Sequence, residues 1–195
     1  MNRAERLPGS IAPGWKLALF FLPIFTALLS LAVGRMYVPV LNVVRALAGA
    51  AVDEKTRIVV MTIRLPRVLL ALLAGAGLSA AGVSFQSLFS NPLATPDTLG
   101  VASGASFGAA LGILAGFGLV GVQLSALACG ALAVVLTGVA GLGAGKGGAT
   151  VVLSGIMVGS LFSALVSLVK YVADTETQLP AITYWLMGSL SGAKF

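Results

Sequence analysis

The sequence predicts an all-α, polytopic membrane protein, and three observations support that prediction. Only 9% of the residues are charged, whereas a soluble domain carries about 25%. The hydrophobic fraction is 58% and the mean hydropathy is +1.03. Several apolar segments exceed the roughly 18 residues that identify a spanning helix. With so few charges the chain could not coat a water-facing surface, so we expect a single transmembrane domain over residues 1–195.

Five spans account for the apolar segments. A polar tail leads to Trp15 and Lys16, which suit an interfacial anchor before the first span. From Thr98 to Gly145 the chain carries no charge, which is too long for one span and right for two. The glycine-rich segment 116–121 is the predicted turn within this stretch. The predicted spans are residues 17–34, 68–90, 98–116, 122–144 and 150–172.

Two shorter helices are predicted to lie at the membrane surface. Val40, Val44 and Leu47 share one helical face, which indicates an amphipathic interfacial helix over about residues 38–52, followed by a charged loop. A second interfacial helix is expected over about residues 181–190, where Tyr184 and Trp185 are placed for a membrane–water boundary.

Small residues recur every fourth position in the third and fifth predicted spans. Such residues share one helical face and allow another backbone to approach closely. Two interpretations stay open: the small faces pack helices together, or they line a wide and smooth pathway. The residues concerned are Gly100, Gly104 and Gly108 in span three, and Gly155, Gly159, Ser163 and Ser167 in span five.

The composition excludes several kinds of chemistry. The chain has no histidine and a single cysteine, Cys129, which excludes Ser-His-Asp catalysis, intrachain disulfides and cysteine-based metal sites. No charged side chain falls in the middle of a predicted span, although proton- and ion-coupled carriers usually need one. We therefore expect no catalytic residues, no metal site and no bound cofactor. The net charge of +6 comes from cations that flank apolar runs, which favours the lipid bilayer over nucleic acid as their partner.

The number of spans and the distribution of cations give conflicting predictions of the orientation in the membrane. Five spans place the two ends on opposite sides of the membrane. If the N-terminus is inside, most cations fall outside, among them Arg64 and Arg67, which violates the positive-inside rule. Either the N-terminus lies outside, or the outer cations are kept for a reason stronger than topology.

Several sequence blocks, in order, resemble the signature of the FecCD family, the permease subunits of ABC importers for iron-siderophore complexes, haem and cobalamin. The likeness is densest from Arg64 to about Gly112 and resumes near Leu153 and Tyr184. The blocks are R-L-P-R, A-G-A-G-L-S-A-A-G, N-P-L-A-x-P, L-G-V-x-S-G-A, L-S-G and Y-W-L-M-G-S-L.

This resemblance implies an ABC type II importer permease bundle of about ten spans, of which about five are present here. It implies a multi-pass protein of the bacterial cytoplasmic (inner) membrane with a cytoplasmic N-terminus. The implied partners are a second permease subunit, identical or paralogous, two cytoplasmic ATPase subunits and an extracytoplasmic substrate-binding protein. ATP hydrolysis would belong to the ATPase subunits, so the chain itself is not expected to be an enzyme.

The resemblance also implies roles for particular residues. Arg64 and Arg67 match arginines that face outside and pair with glutamates of the binding protein, which would explain the outer cations. Asn91 and Leu93 match residues of the cytoplasmic gate. The second half of that gate corresponds to the loop before span five, which here includes Ala149 and Thr150. The small-residue face of span five would line the pathway.

The main departure from the family is length, because the chain corresponds to about an N-terminal half. We expect that it cannot transport as it stands and that a continuation or a second chain supplies the rest. Two other hypotheses are a secondary carrier or channel of another family, and a truncated membrane protein that transports nothing. An internal inverted repeat or a charged residue within a span would favour the carrier.

Overall fold

The computed structural model describes residues 13–92, 94–144 and 148–194. Within these ranges every regular element is helical, and the all-α fold is confirmed. The chain forms two compact units, one from its start to Gly75 together with the segment from Leu190, the other from Ala76 to Ser189. We call these the first and the second unit.

The first unit begins with helix α1, Pro13–Ala32, and the short helix α2, Val40–Leu47. The long helix α3, Glu54–Phe89, starts in this unit and continues into the second. Its segment Ile58–Arg64 is π-helical. The buried core of the first unit joins the end of α1 to one face of α2 and to α3, through Leu31, Ala32, Val38, Val43, Ala46 and Val60.

The second unit is built around a short central helix. A 3₁₀ turn, Asp97–Leu99, leads into α4, Val101–Leu114, which packs against the three helices that follow. Those helices are α5, Leu119–Ala144, α6, Gly148–Val172, and α7, Gln178–Met187.

In the part of the chain that the structure describes, four helices are long and apolar enough to cross a membrane: Gly14–Ala32, Glu54–Phe89, Leu119–Gly141 and Ala149–Val172. The predicted third span, residues 98–116, is instead the 14-residue helix α4, which is about 21 Å long against a hydrocarbon core of about 30 Å. Glycines in the left-handed conformation shorten it at both ends, Gly100 with φ 74° and Gly116 with φ 73°. The sequence showed the apolar length and the turn at Gly116, but not that the helix begins only after Gly100.

The charged loop expected before span two is helical. The helix begins at Glu54, far ahead of the predicted start at residue 68. Thr56 and Val60, four residues apart, are buried on one face, while Lys55 and Arg57 are exposed. The charges therefore mark the solvated side of a helical turn, and Glu54 in the first turn suits the positive end of the helix dipole.

The remaining predicted bounds shift by a few residues. The interfacial helix expected over 38–52 is Val40–Leu47, and it ends where Ala48 and Gly49 turn the chain, Gly49 with φ 72°. The one expected over 181–190 is Gln178–Met187, because Gly188 with φ 72° ends it. In both places a left-handed glycine decides the end of the helix.

The turn between α6 and α7 is organised by one carboxylate. Asp174 accepts hydrogen bonds from the hydroxyl and the amide of Thr177, both at 2.7 Å, and from the amide of Glu176 at 3.2 Å. The hydroxyl of Thr177 is the largest cause that lowers the pKa of Asp174 below its ordinary value of 3.8. Because the folded pKa is depressed, this contribution to stability is present above pH 3.8 and is lost as the pH falls through the folded value.

We expect Thr177→Val to raise the pKa of Asp174 toward 3.8, since the substitution removes the hydroxyl donor and keeps the amide. An NMR titration of the Asp174 carboxyl carbon measures this directly. Thr175→Val is the matched control, one residue after the carboxylate. Identical titration midpoints in the wild-type protein and in the Thr177→Val variant would contradict the assignment.

Candidate functional site

In the first unit, Arg64 turns back onto the end of α1. Its Nη1 donates hydrogen bonds to the carbonyl oxygens of Leu31 at 2.7 Å and Ala32 at 3.0 Å. Its Nη2 donates to the carbonyl oxygen of Met36. The side chain is half-buried. The arginine predicted to meet a partner's carboxylate therefore uses both terminal nitrogens within its own chain.

Arg67 lies on the same helix and is held differently. Its Nη2 donates to the carbonyl oxygen of Ser191 at 3.0 Å, in the segment that belongs to the same unit. Its Nε is buried and has no acceptor among the described residues. The buried Nε is out of a partner's reach, but the two Nη groups carry further N–H donors, and carboxylates match the planar donor geometry of arginine.

The loop predicted as the inner gate follows α3. Ser90 ends the helix in the left-handed conformation with φ 46°, which is uncommon for a residue other than glycine. The backbone amide of Asn91 bonds the carbonyl of Gln86 at 3.1 Å, and the carbonyl of Asn91 accepts from the amide of Ala94 at 3.1 Å. Asn91 therefore sits inside a hydrogen-bonded turn. Leu93 lies outside the described residues.

The other predicted gate residues, Ala149 and Thr150, occupy the first turn of α6. Ala149 is exposed and Thr150 is half-buried. The resemblance implies a loop position for this pair, whereas the structure places both residues inside the helix, and their role in gating stays a prediction.

Gly100, Gly155 and Gly159 meet at a junction where the 3₁₀ turn lies against α6. A Cβ on Gly155 would lie 2.7 Å from the Cα of Leu99 and closer still to the carbonyl oxygen of Thr98. A Cβ on Gly100 would lie 3.0 Å from the amide nitrogen of Gly159. Real Cβ atoms do not approach backbone as closely as a Cβ on Gly155 would, and at Gly100 the tight contact and the positive φ of 74° both disfavour a side chain.

A buried threonine of α5 completes this junction. The hydroxyl of Thr137 donates to the carbonyl oxygen of Leu99 at 3.0 Å, and the side chain is 1% exposed. Helices α5 and α6 therefore both hold the turn that follows the predicted gate loop. A threonine hydroxyl within an apolar span was the available sequence signal for this bond.

Beside the junction lies an open groove with a volume of about 410 Å³. Gly155, Gly159 and Ser163 line it, as the small-residue pattern predicts for one face of α6. Ser163 also accepts or donates a long hydrogen bond of 3.4 Å with Ser103 of α4. Ser167 is exposed one turn further along and bonds back to the carbonyl of Ser163 at 3.1 Å. The remaining lining residues are Asp97, Thr98, Ile156 and Ser160.

Gly104 and Gly108 lie on another side of α4, against α5. A Cβ on Gly104 would lie 2.6 Å from the carbonyl oxygen of Cys129. A Cβ on Gly108 would lie 2.8 Å from the Cβ of Cys129, with the carbonyl of Ser125 nearer. These two glycines bring helix backbones together. Gly100, the first glycine of the same four-residue series, instead faces α6.

A model of the FecCD transport family matches residues 22–195. The chain belongs to the FecCD transport family. The match explains why the sequence blocks fall in their order, and several of the described helices are long and apolar enough to cross a membrane.

Curated FecCD relatives carry different substrate names. The chain is 39% identical to the molybdate import system permease protein MolB of Haemophilus influenzae, over 89% of this chain and 53% of that protein. It is 34% identical to the vitamin B12 import system permease protein BtuC of Salmonella arizonae, over 91% and 52%. It is 40% identical to a probable iron chelatin transport system permease of Helicobacter pylori, over 69% and 40%.

A solved structure shows the same fold. It is described as an inward-facing conformation of a metal-chelate type ABC transporter, and it is 38% identical with a TM-score of 0.76. The alignment covers 94% of this chain and 56% of that one. The chain therefore spans about half the length of the relatives that it matches.

Proposed function

We propose that this FecCD chain is a permease subunit of an ATP-driven importer that moves a metal chelate across the cytoplasmic membrane. The substrate classes proposed are iron-siderophore complexes, haem and cobalamin. Family membership over residues 22–195 carries the proposal. The groove of glycine and serine beside α6 supports it, because a smooth wall without a tight site suits a bulky cargo.

The proposed assembly contains a second permease subunit, identical or paralogous, that contributes the other wall of a central pathway. Two cytoplasmic ATPase subunits would supply the energy, and an extracytoplasmic binding protein would deliver the chelate. The N-terminus of this chain would lie in the cytoplasm. The permease would bind and conduct the substrate without changing it chemically.

In the proposed cycle, a loaded binding protein docks on the outer face near Arg64 and Arg67. The chelate then enters between the permease subunits and passes the face formed by Gly155, Gly159 and Ser163. ATP binding and hydrolysis move the helices, and the inner gate opens. Asn91, Leu93, Ala149 and Thr150 are the proposed gate residues.

Reconstitution tests the function. The full-length permease is placed in proteoliposomes together with its ATPase subunits and binding protein. Uptake is compared for a ferric siderophore, haem, cobalamin and molybdate. We expect uptake of one metal chelate that requires ATP and resists a protonophore. Uptake that needs a proton gradient and not ATP would identify a secondary carrier, and preference for molybdate would contradict the chelate class.

We expect Arg67→Glu to weaken docking of the binding protein by about 10- to 100-fold, since reversing a charge opposite a carboxylate replaces attraction with repulsion. Surface plasmon resonance on permease in nanodiscs measures the affinity. Lys55→Glu, an exposed charge reversal on the same helix, is the control for a general charge effect. Equal losses in the two variants, or unchanged affinity in Arg67→Glu, would contradict a local docking contact.

A further inference from the structure

The C-terminal end of α1 is buried, and its carbonyl groups need donors. The last carbonyls of a helix have no partner within the helix. Leu31 is 3% exposed and Ala32 is 2% exposed, so water does not reach this end freely. The amide of Val38 bonds the carbonyl of Ala32 at 3.2 Å. Arg64 donates to both carbonyls, at 2.7 Å and 3.0 Å.

The guanidinium group fits this place because of its charge and its shape. A cation is favourable at the negative end of the helix dipole. The planar fork lets Nη1 bond the carbonyls of Leu31 and Ala32 while Nη2 bonds that of Met36. A lysine ammonium has a comparable charge but lacks the rigid fork. The cap therefore depends on arginine geometry in addition to charge.

Gly34 makes the room that the guanidinium occupies. A Cβ at position 34 would lie 2.7 Å from Nη2 of Arg64 and 3.1 Å from its Cζ. The φ angle of Gly34 lies outside the left-handed region. A side chain at position 34 would therefore have to displace the guanidinium of Arg64 from its carbonyl partners, although the backbone conformation itself would accept one.

We propose that Gly34 and Arg64 form a latch that joins the end of α1 to α3, and that Arg64 serves the docking face as a positioning residue. Its donors hold carbonyl oxygens of its own chain, so a partner's carboxylate meets Arg67 while Arg64 fixes the backbone around it. The statement about docking rests on the proposed function. The latch itself does not, because it is a property of the permease without a partner.

The latch is tested by a double-substitution cycle in the complete permease in nanodiscs, with no binding protein present. We expect Arg64→Lys and Gly34→Ala each to lower Tm by about 4–8 °C and to speed hydrogen exchange at the amide of Val38 by about tenfold. In the Arg64→Ala background, Gly34→Ala is expected to lower Tm little further, because the guanidinium that the new Cβ would displace is absent. Gly75→Ala, where a Cβ meets nothing within 4 Å, is the control.

Equal effects of Gly34→Ala with and without Arg64 would overturn the latch. The latch would also be overturned if Arg64→Lys kept the wild-type Tm and the wild-type hydrogen-exchange rate at Val38. If Gly34→Ala does not fold, Arg64→Lys and Arg64→Ala still decide the outcome through Tm and exchange. Absence of ATP-dependent uptake by the wild-type permease, with the latch results as expected, would instead count against the proposed function and leave the latch standing.

A docking measurement separates positioning from direct contact. In a positioning role, Arg64→Lys weakens binding-protein affinity while the salt dependence of that affinity stays at the wild-type slope. In a direct role, Arg64→Lys keeps most of the affinity and Arg64→Ala flattens the salt dependence, as loss of an interfacial charge does. The second pattern, with an unchanged Tm, would overturn the assignment of Arg64 as a positioning residue.

Discussion

Replacing Gly155 with alanine is expected to destabilise the second unit by about 3 kcal/mol and to lower Tm by about 6–12 °C. The added Cβ would lie 2.7 Å from the Cα of Leu99. That neighbour is backbone, so no side chain can rotate away. Thermal unfolding of the permease in nanodiscs measures the loss.

Gly138→Ala is the matched control for this prediction. Gly138 is also a helical glycine of the second unit, and a Cβ there meets nothing within 4 Å. We expect this control to leave Tm unchanged or to raise it slightly, because alanine is favoured over glycine within a helix by about 0.5–1 kcal/mol. A Gly155→Ala variant as stable as Gly138→Ala would show that the turn can move away from α6.

The junction at Gly155 connects packing to the proposed gate. The loop that contains Asn91 ends in the 3₁₀ turn, and that turn is held by Thr137 of α5 and by the glycines of α6. Two helices, α5 and α6, therefore fix one end of the loop. A movement of α6 would be transmitted to the loop through backbone contacts, without a flexible side chain between them.

The helices could be predicted from the sequence because apolar length and the lack of charge are properties of the chain itself. The start of α3 could not. By their charge alone, Lys55 and Arg57 indicate a loop. Because Thr56 and Val60 are buried, the two charged residues instead lie on the exposed side of a helix. That distinction depends on the packing of α3 against α1 and α2.

The sequence shows which glycines recur along the helices, but not which helices they contact. The four-residue spacing identified the glycines, and the structure divides them between two neighbours: Gly104 and Gly108 face α5, while Gly100 faces α6. Spacing gives a common helical face only for a continuous helix, and Gly100 precedes α4 in a left-handed conformation. The bond from Arg64 to Leu31 spans 33 residues, and no local pattern predicts so distant an acceptor.

Placing a tryptophan at Ser163 is expected to reduce import by at least roughly tenfold, equivalent to about 1.4 kcal/mol on the transport barrier. Ser163 is exposed and lines the groove of about 410 Å³, so an indole can occupy that space without displacing a buried residue. If the groove is part of the pathway wall, the bulk obstructs the chelate. ATP-dependent uptake into proteoliposomes measures the effect, with Tm recorded on the same sample.

Leu168→Trp is the control, because Leu168 is also exposed on α6 and lies about 140° around the helix from Ser163 at 3.6 residues per turn. We expect this control to import at the wild-type rate with the same Tm. Obstruction at Ser163 and not at Leu168 assigns the pathway to the glycine and serine face of α6. Wild-type uptake in Ser163→Trp would instead show that this face does not line the pathway. The small residues of α6 would then serve only to let the turn at Leu99 pack closely.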